Sequence, residues 1–143
     1  MLPGTARPIT LPPDYTPPEP GYVDISLATY MMMMGRVERI STQQIREMNR
    51  KMHELGPTKI WNSCNGFIIP PGSELSLDAT PHSHHFVNKS ASKPQPRRRQ
   101  VSIKHYFEEK YKIRLNYPNS PLLRDPSGSM FPIETVWFRY RVF

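Results

Sequence analysis

Proline sets the outer bounds of this fold. The chain holds 17 prolines in 143 residues, and seven of them (Pro3, Pro8, Pro12, Pro13, Pro17, Pro18, Pro20) fall within the first 21. A ring that fixes φ and removes an N–H donor favours extended polyproline backbone over helix or sheet. Residues 1–21 therefore read as a flexible proline-rich tail, and 22–143 as the folding unit. That unit has the usual size of one domain and can bury a modest core. Further along, Gly56-Pro57, Pro70-Pro71-Gly72 and the pair Pro118 and Pro121 act as stops that cut the chain into short elements.

Between these stops the clearest element is a helix over 40–55, "ISTQQIREMNRKMHEL". Ser41 followed three residues later by Gln44 is a capping-box pattern. Ile45, Met48, Met52 and Leu55 recur at helical spacing and predict one buried face. A second helix is expected from Ser102, whose hydroxyl can cap the first turn. In it Ile103 and Phe107 share one face, and Tyr106 and Lys110 share a neighbouring one. Strands are expected after Gly21, around Ile60-Trp61 and Phe67–Ile69, near His85–Val87, over the alternating "KIRLNY" of 112–117, and around Thr135–Tyr140. The four methionines at 31–34 read either as helix or as irregular packing, since methionine fills awkward gaps. The end of the polar stretch 72–100 reads as a mobile loop. The sum is an α+β domain, mainly strand with two helices.

Charge is unevenly placed. Residues 81–143 carry twelve basic and four acidic side chains, a net +8, while the preceding 80 are close to neutral. The same region interleaves Tyr106, Phe107, Tyr111, Tyr117, Phe131, Trp137, Phe138 and Tyr140, the mixture expected of a nucleic-acid binder. A solubilising charge excess over core aromatics would give the same composition. The one cysteine, Cys64, excludes a disulfide framework within the chain and fits a reducing compartment. No apolar run is long enough to span a bilayer, and the N-terminus lacks a signal-peptide pattern. A cytoplasmic or nuclear protein with no membrane partner is expected.

The stretch "YFEEKYKIRLNYPNSPLL", 106–123, followed by "MFPIE", 130–134, resembles the second half of the PAZ domain of Argonaute proteins. Tyr106, Phe107, Lys110, Tyr111, Leu115, Tyr117, Pro118, Pro121 and Leu122 fall in that family's order, with Val101 upstream; Met130 departs from an aromatic position. The match is strongest over 101–136. The first half is sparser: "CNGFII" through "HSHHFV" occupies the place of the family's basic strand pair, and the usual run of lysine and arginine before it is replaced by "TKIWNS". The resemblance implies an OB-like β-barrel with an inserted hairpin and helix, as in a divergent, fungal-type domain excised from a longer Argonaute, with 22–55 as lead-in strand and helix.

The resemblance also implies a function: anchoring the 3′ end of a small guide RNA, single-stranded or with a two-nucleotide overhang, in RNA silencing. By the match, Tyr106, Lys110 and Tyr111 would hold the phosphate between the last two nucleotides. Phe86 would stack on the terminal base, Phe131 and Ser129 would flank the terminal ribose, and the Tyr117 hydroxyl would reach the rim. Such contacts suit a single-stranded end, where bases leave the stack and meet aromatic faces while phosphates take hydroxyl and cationic donors. On an ideal helix Tyr111 points well away from Tyr106, so convergence requires the helix to end near Tyr111.

Other classes leave weaker marks. No paired-carboxylate, nucleophile or phosphate-loop pattern is present, so a binding module is expected in place of an enzyme. His82, His84, His85 and Cys64 lack the spacing of a zinc site, and no cofactor is expected. Arg97-Arg98-Arg99 reads as a solvated or phosphate-facing loop. Two alternatives remain open: a degenerate PAZ-like scaffold that binds protein and no RNA, and a non-specific basic binder. Other Argonaute domains are further candidate partners.

Overall fold

The computed structural model describes residues 10–55, 59–87 and 100–142. The architecture is mixed α+β, with three helices and three small antiparallel sheets. The first sheet has the order β1–β8–β2, with β1 at Tyr22–Ser26, β8 at Val136–Arg141 and β2 at Lys59–Asn62. The second joins β3 (Glu74–Leu75), β6 (Leu123–Arg124) and β7 (Met130–Phe131). The third is a hairpin of β4 (His85–Val87) and β5 (Gln100–Ser102). Among the described residues none of these sheets closes into a barrel.

The helices form where local chemistry dictates. α2, Thr42–Leu55, carries the expected capping box: the Ser41 N–H donates to Gln44 Oε1 at 3.0 Å, and the Gln44 N–H donates back to Ser41 Oγ at 3.2 Å. Its Ile45, Met48 and Met52 are buried. On its flank Asn49 bonds both backbone groups of Leu75, at 3.1 and 2.7 Å, and so takes the place of a neighbouring strand at the edge of β3. α3, Ile103–Tyr111, is capped by Ser102, whose hydroxyl accepts from the His105 N–H at 3.0 Å, and it buries Ile103 and Phe107. A third helix, α1 (Leu27–Met33), decides the methionine run in favour of helix over irregular packing; it starts on the Ser26 cap and spans most of the run, burying Met31 and leaving Met32, Met33 and Met34 exposed.

Three expectations are corrected. The strand expected around Phe67–Ile69 is reduced to a single bridge between Ile68 and Trp61. Residues 112–117 do not form a strand. Lys112 takes the left-handed conformation that ends α3. The next N–H groups then find carboxylates: Leu115 donates to Glu108 at 2.9 Å, and Asn116 and Tyr117 donate to Glu134 at 2.9 and 2.6 Å. Side chains thus replace a sheet neighbour, while the alternation survives as a burial pattern with Leu115 inside.

The proline-rich segment from Thr10 onward also differs from a free tail. The Thr10 N–H donates to the Ser63 carbonyl at 2.8 Å, Pro12 is buried, and the Tyr15 ring packs edge-on against Trp61 at 5.9 Å. Tyr15 donates to Asp24 at 2.9 Å, and Arg139 on β8 bonds Asp24 through two nitrogens, at 2.7 and 3.0 Å, and the Thr16 carbonyl at 2.5 Å. These bonds clamp the segment over the first sheet. Burial raises the pKa of the Asp24 carboxyl, but the hydrogen bonds from Arg139 and Tyr15 outweigh it and hold that pKa below its ordinary value. Residues 1–9, the arginine triplet 97–99 and the rest of the expected mobile loop to residue 99 lie outside the described residues.

Candidate functional site

The hairpin and α3 form one wall of a cavity of about 420 Å³, a volume suited to a small ligand or a nucleotide-sized group. Phe86 and Val101 face each other across β4 and β5, and α3 starts where β5 ends, so the helix is anchored to the hairpin base. Phe86 meets Tyr106 edge-on at 5.2 Å, Tyr106 meets Phe107 at 5.7 Å, and Phe107 meets Tyr111 at 5.4 Å. Phe107 lies in the core; Phe86, Tyr106 and Tyr111 are half-buried and line the cavity.

Two turns supply the rest of the lining. One is the tight loop between β2 and Ile68: the Asn62 N–H donates to the Phe67 carbonyl at 2.8 Å, and the Gly66 N–H donates to the Asn62 carbonyl at 2.7 Å. Gly66 is required here. Its φ is +75°, and an added Cβ would lie 2.7 Å from the Leu11 carbonyl oxygen of the proline-rich segment. The second turn, Asp125–Ser129, is organised by buried Asp125, which accepts from the N–H groups of Ser127 and Ser129 at 3.0 and 2.9 Å. It leads Ser129 and Met130 to the cavity and seats Phe131 beneath it.

Three of the expected residues converge. Lys110 Nζ donates to the Tyr106 hydroxyl oxygen at 2.8 Å and lies 5.2 and 5.6 Å from the Tyr106 and Tyr111 ring centres. The Tyr111 hydroxyl accepts from Asn65 Nδ2 at 3.4 Å. Because both phenol oxygens accept from the protein, their own protons remain to donate outward. Polarisation by the ammonium strengthens the Tyr106 O–H as a donor. The hydrogen bond to Tyr106, followed by the charge interaction with the ionisable Tyr111 phenol, raises the Lys110 pKa, and burial raises that of Tyr111, so both stay protonated at neutral pH. No carboxylate pairs with Lys110 among the described residues; the adjacent acids are engaged elsewhere, Glu108 by Lys104 at 3.0 Å and Glu109 by His105 at 2.6 Å.

Phe86, Ser129 and Phe131 line the cavity together with Tyr106 and Tyr111, whereas Lys110 is not a lining residue and stands beside it through its bond to Tyr106. Tyr117 does not line it either. Its hydroxyl points to Met32 Sδ at 3.6 Å, because Glu134 fixes its backbone on the far side of the α3 terminus. Sequence reasoning missed Asn62, Asn65, Phe67 and His84, all of which contribute to the lining. The Asn65-Gly66 pair was the available signal, since this dipeptide marks a tight turn that would present Phe67. Among the described residues no cluster of histidine, cysteine or carboxylate side chains could hold a metal ion, and no helix is long and apolar enough to cross a membrane.

No protein-family model matches this chain, and no curated protein matches it.

Proposed function

We propose that this protein is an RNA-binding module that anchors the 3′ end of a small guide RNA, an Argonaute PAZ-like domain acting in RNA silencing. The observation that carries the reading is Lys110. A protonated ammonium stands beside two tyrosine rings whose hydroxyls border the cavity, without a protein carboxylate among the described residues. Such a site calls for an external anion, and a phosphodiester flanked by bases satisfies both the donors and the rings. An OB-like barrel belongs to this reading of the fold, with the β4–β5 hairpin and α3 as the inserted module. The partners it names are a small RNA and neighbouring Argonaute domains.

The test is titration of the full chain with a fluorescent single-stranded RNA, a duplex with a two-nucleotide 3′ overhang, and a blunt duplex. Saturable micromolar binding is expected for the first two. Tyr106→Ala with Lys110→Ala should weaken it roughly ten-fold or more, the scale of a lost charge-assisted contact. Equal binding of blunt and overhang duplexes would refute 3′-end recognition, and a steep salt slope without preference for a free 3′ hydroxyl would indicate a non-specific basic binder.

One observation favours a second reading, a PAZ-like scaffold that binds protein and no RNA. β2 supplies no cation to the cavity: Lys59 pairs with Asp14 at 3.4 Å, Trp61 is core, and Asn62 is the strand's one lining residue. A folded chain with no saturable RNA binding below about 100 μM, a free energy near −5 kcal/mol, would favour that reading.

A further inference from the structure

The cavity is lined by two aromatic groups. Phe86, Tyr106 and Tyr111 form one with the core ring of Phe107; Phe67 and Phe131 form the other, and among the described residues no ring contact joins the two. Phe67 is unusual within its group. It is 46% exposed and lies nearly parallel to buried Phe131, with ring centres 5.9 Å apart and planes 20° apart. An exposed phenyl ring on a loop is ordinarily free to move. This one is held at both backbone ends: its N–H donates to Asn65 Oδ1 at 2.9 Å, and its carbonyl accepts from Asn62 at 2.8 Å. The next residue, Ile68, is bridged to Trp61, and the turn is braced from outside by Thr10 and Leu11. An exposed ring on a pinned backbone, backed by a second ring, is a partly preformed stacking surface, which lowers the ordering cost of a bound base.

We propose that Phe67 is a second base-stacking platform, which takes the nucleobase next to the 3′-terminal one. This rests on the 3′-end reading of the same cavity. With the terminal base on the Phe86 wall and the intervening phosphate on Tyr106, Lys110 and Tyr111, the adjoining base lies towards the Phe67–Phe131 wall. Stacking there would tolerate any base, so the site gains affinity without sequence preference.

The test uses the full chain and a short 3′-hydroxyl RNA with 2-aminopurine at the penultimate position. Wild-type protein should quench the probe on binding, and Phe67→Ala should abolish the quench and weaken binding about ten-fold. Removing the penultimate base from the RNA should weaken wild-type binding by a similar factor while leaving Phe67→Ala indifferent; this arm needs no variant for its first half. If Phe67→Ala binds and quenches like wild type while Tyr106→Ala with Lys110→Ala does not bind, the platform is refuted and 3′-end recognition stands. If wild-type protein binds no RNA, both fall together.

Discussion

Two places in this molecule set a cation at the same distance from a tyrosine ring and use it for opposite ends. Under the proline-rich segment, the Arg139 guanidinium lies 5.2 Å from the Tyr15 ring centre; on α3, the Lys110 ammonium lies 5.2 Å from that of Tyr106. The difference is the anion. Arg139 has Asp24, both side chains close to nine-tenths buried, and the tyrosine hydroxyl donates into the same carboxylate. Among the described residues Lys110 has no carboxylate, and its tyrosine donates to no protein acceptor. A circuit closed internally is structural, whereas one left open at a cavity is available to a ligand. The comparison teaches where to look for function more sharply than the surplus of basic residues does.

The largest effect should come from breaking the closed circuit. Asp24→Asn keeps the shape but leaves Arg139 buried without its charge partner, and should destabilise the fold by about 3 kcal/mol, measured by chemical denaturation. Because the folded Asp24 pKa is depressed, its contribution is present above the ordinary carboxylate value and is lost as pH falls through the folded value. Wild-type stability should therefore drop in acid below about pH 4, and the Asp24→Asn protein should show less of that drop. Equal acid sensitivity in the two proteins would mean the pair is not the stabilising element.

The open circuit can be closed artificially. Asn65→Asp is nearly isosteric and keeps an oxygen for the Phe67 N–H, but it puts a carboxylate beside the Tyr111 hydroxyl. RNA affinity should fall roughly ten-fold at low salt, as one added like charge near the phosphate implies, while thermal stability holds. Unchanged binding would mean that the phosphate does not sit where Tyr111 and Lys110 can reach it.

What could be read from sequence follows the range of the interactions. α2 was legible because its cap partners are three residues apart and its buried methionines repeat at helical spacing. A smaller effect tests that reading: Ser41→Ala removes one half of the capping box and should cost about 1 kcal/mol of stability, without change in RNA affinity. Tyr106 and Lys110 were legible together for the same local reason, and Tyr111 joins them because Lys112 ends the helix in the left-handed region. The misreadings all involve distant partners. Residues 112–117 alternate like a strand, yet their N–H groups are taken by Glu108 and Glu134. The proline-rich segment makes only short turn bonds within itself, such as that from the Tyr15 N–H to the Pro12 carbonyl, so its anchoring bonds to Asp24 through Tyr15 and to Arg139 through Thr16 could not be seen. Phe67 gains meaning only from Phe131, which lies far along the chain. Tyr117 matched a family pattern, but the carboxylate that orients it turns it towards α1.

The smallest expected effect separates the two circuits by pH. The Lys110 pKa is raised by its hydrogen bond to Tyr106, and the Tyr111 pKa is raised by burial. Each group therefore titrates above its ordinary value, which lies near pH 10, and both donors stay protonated through neutral pH. RNA affinity measured at constant ionic strength should be flat from about pH 6 to pH 9, with a shallow salt slope of about −1 to −2 because few phosphates are held. Acid should thus loosen the Asp24–Arg139 clamp while leaving the donors of the α3 site charged and oriented until the fold itself gives way. An affinity that halves or more across neutrality would show that some other titrating group in the cavity carries the contact, and the division between a closed structural circuit and an open binding one would have to be redrawn around that group.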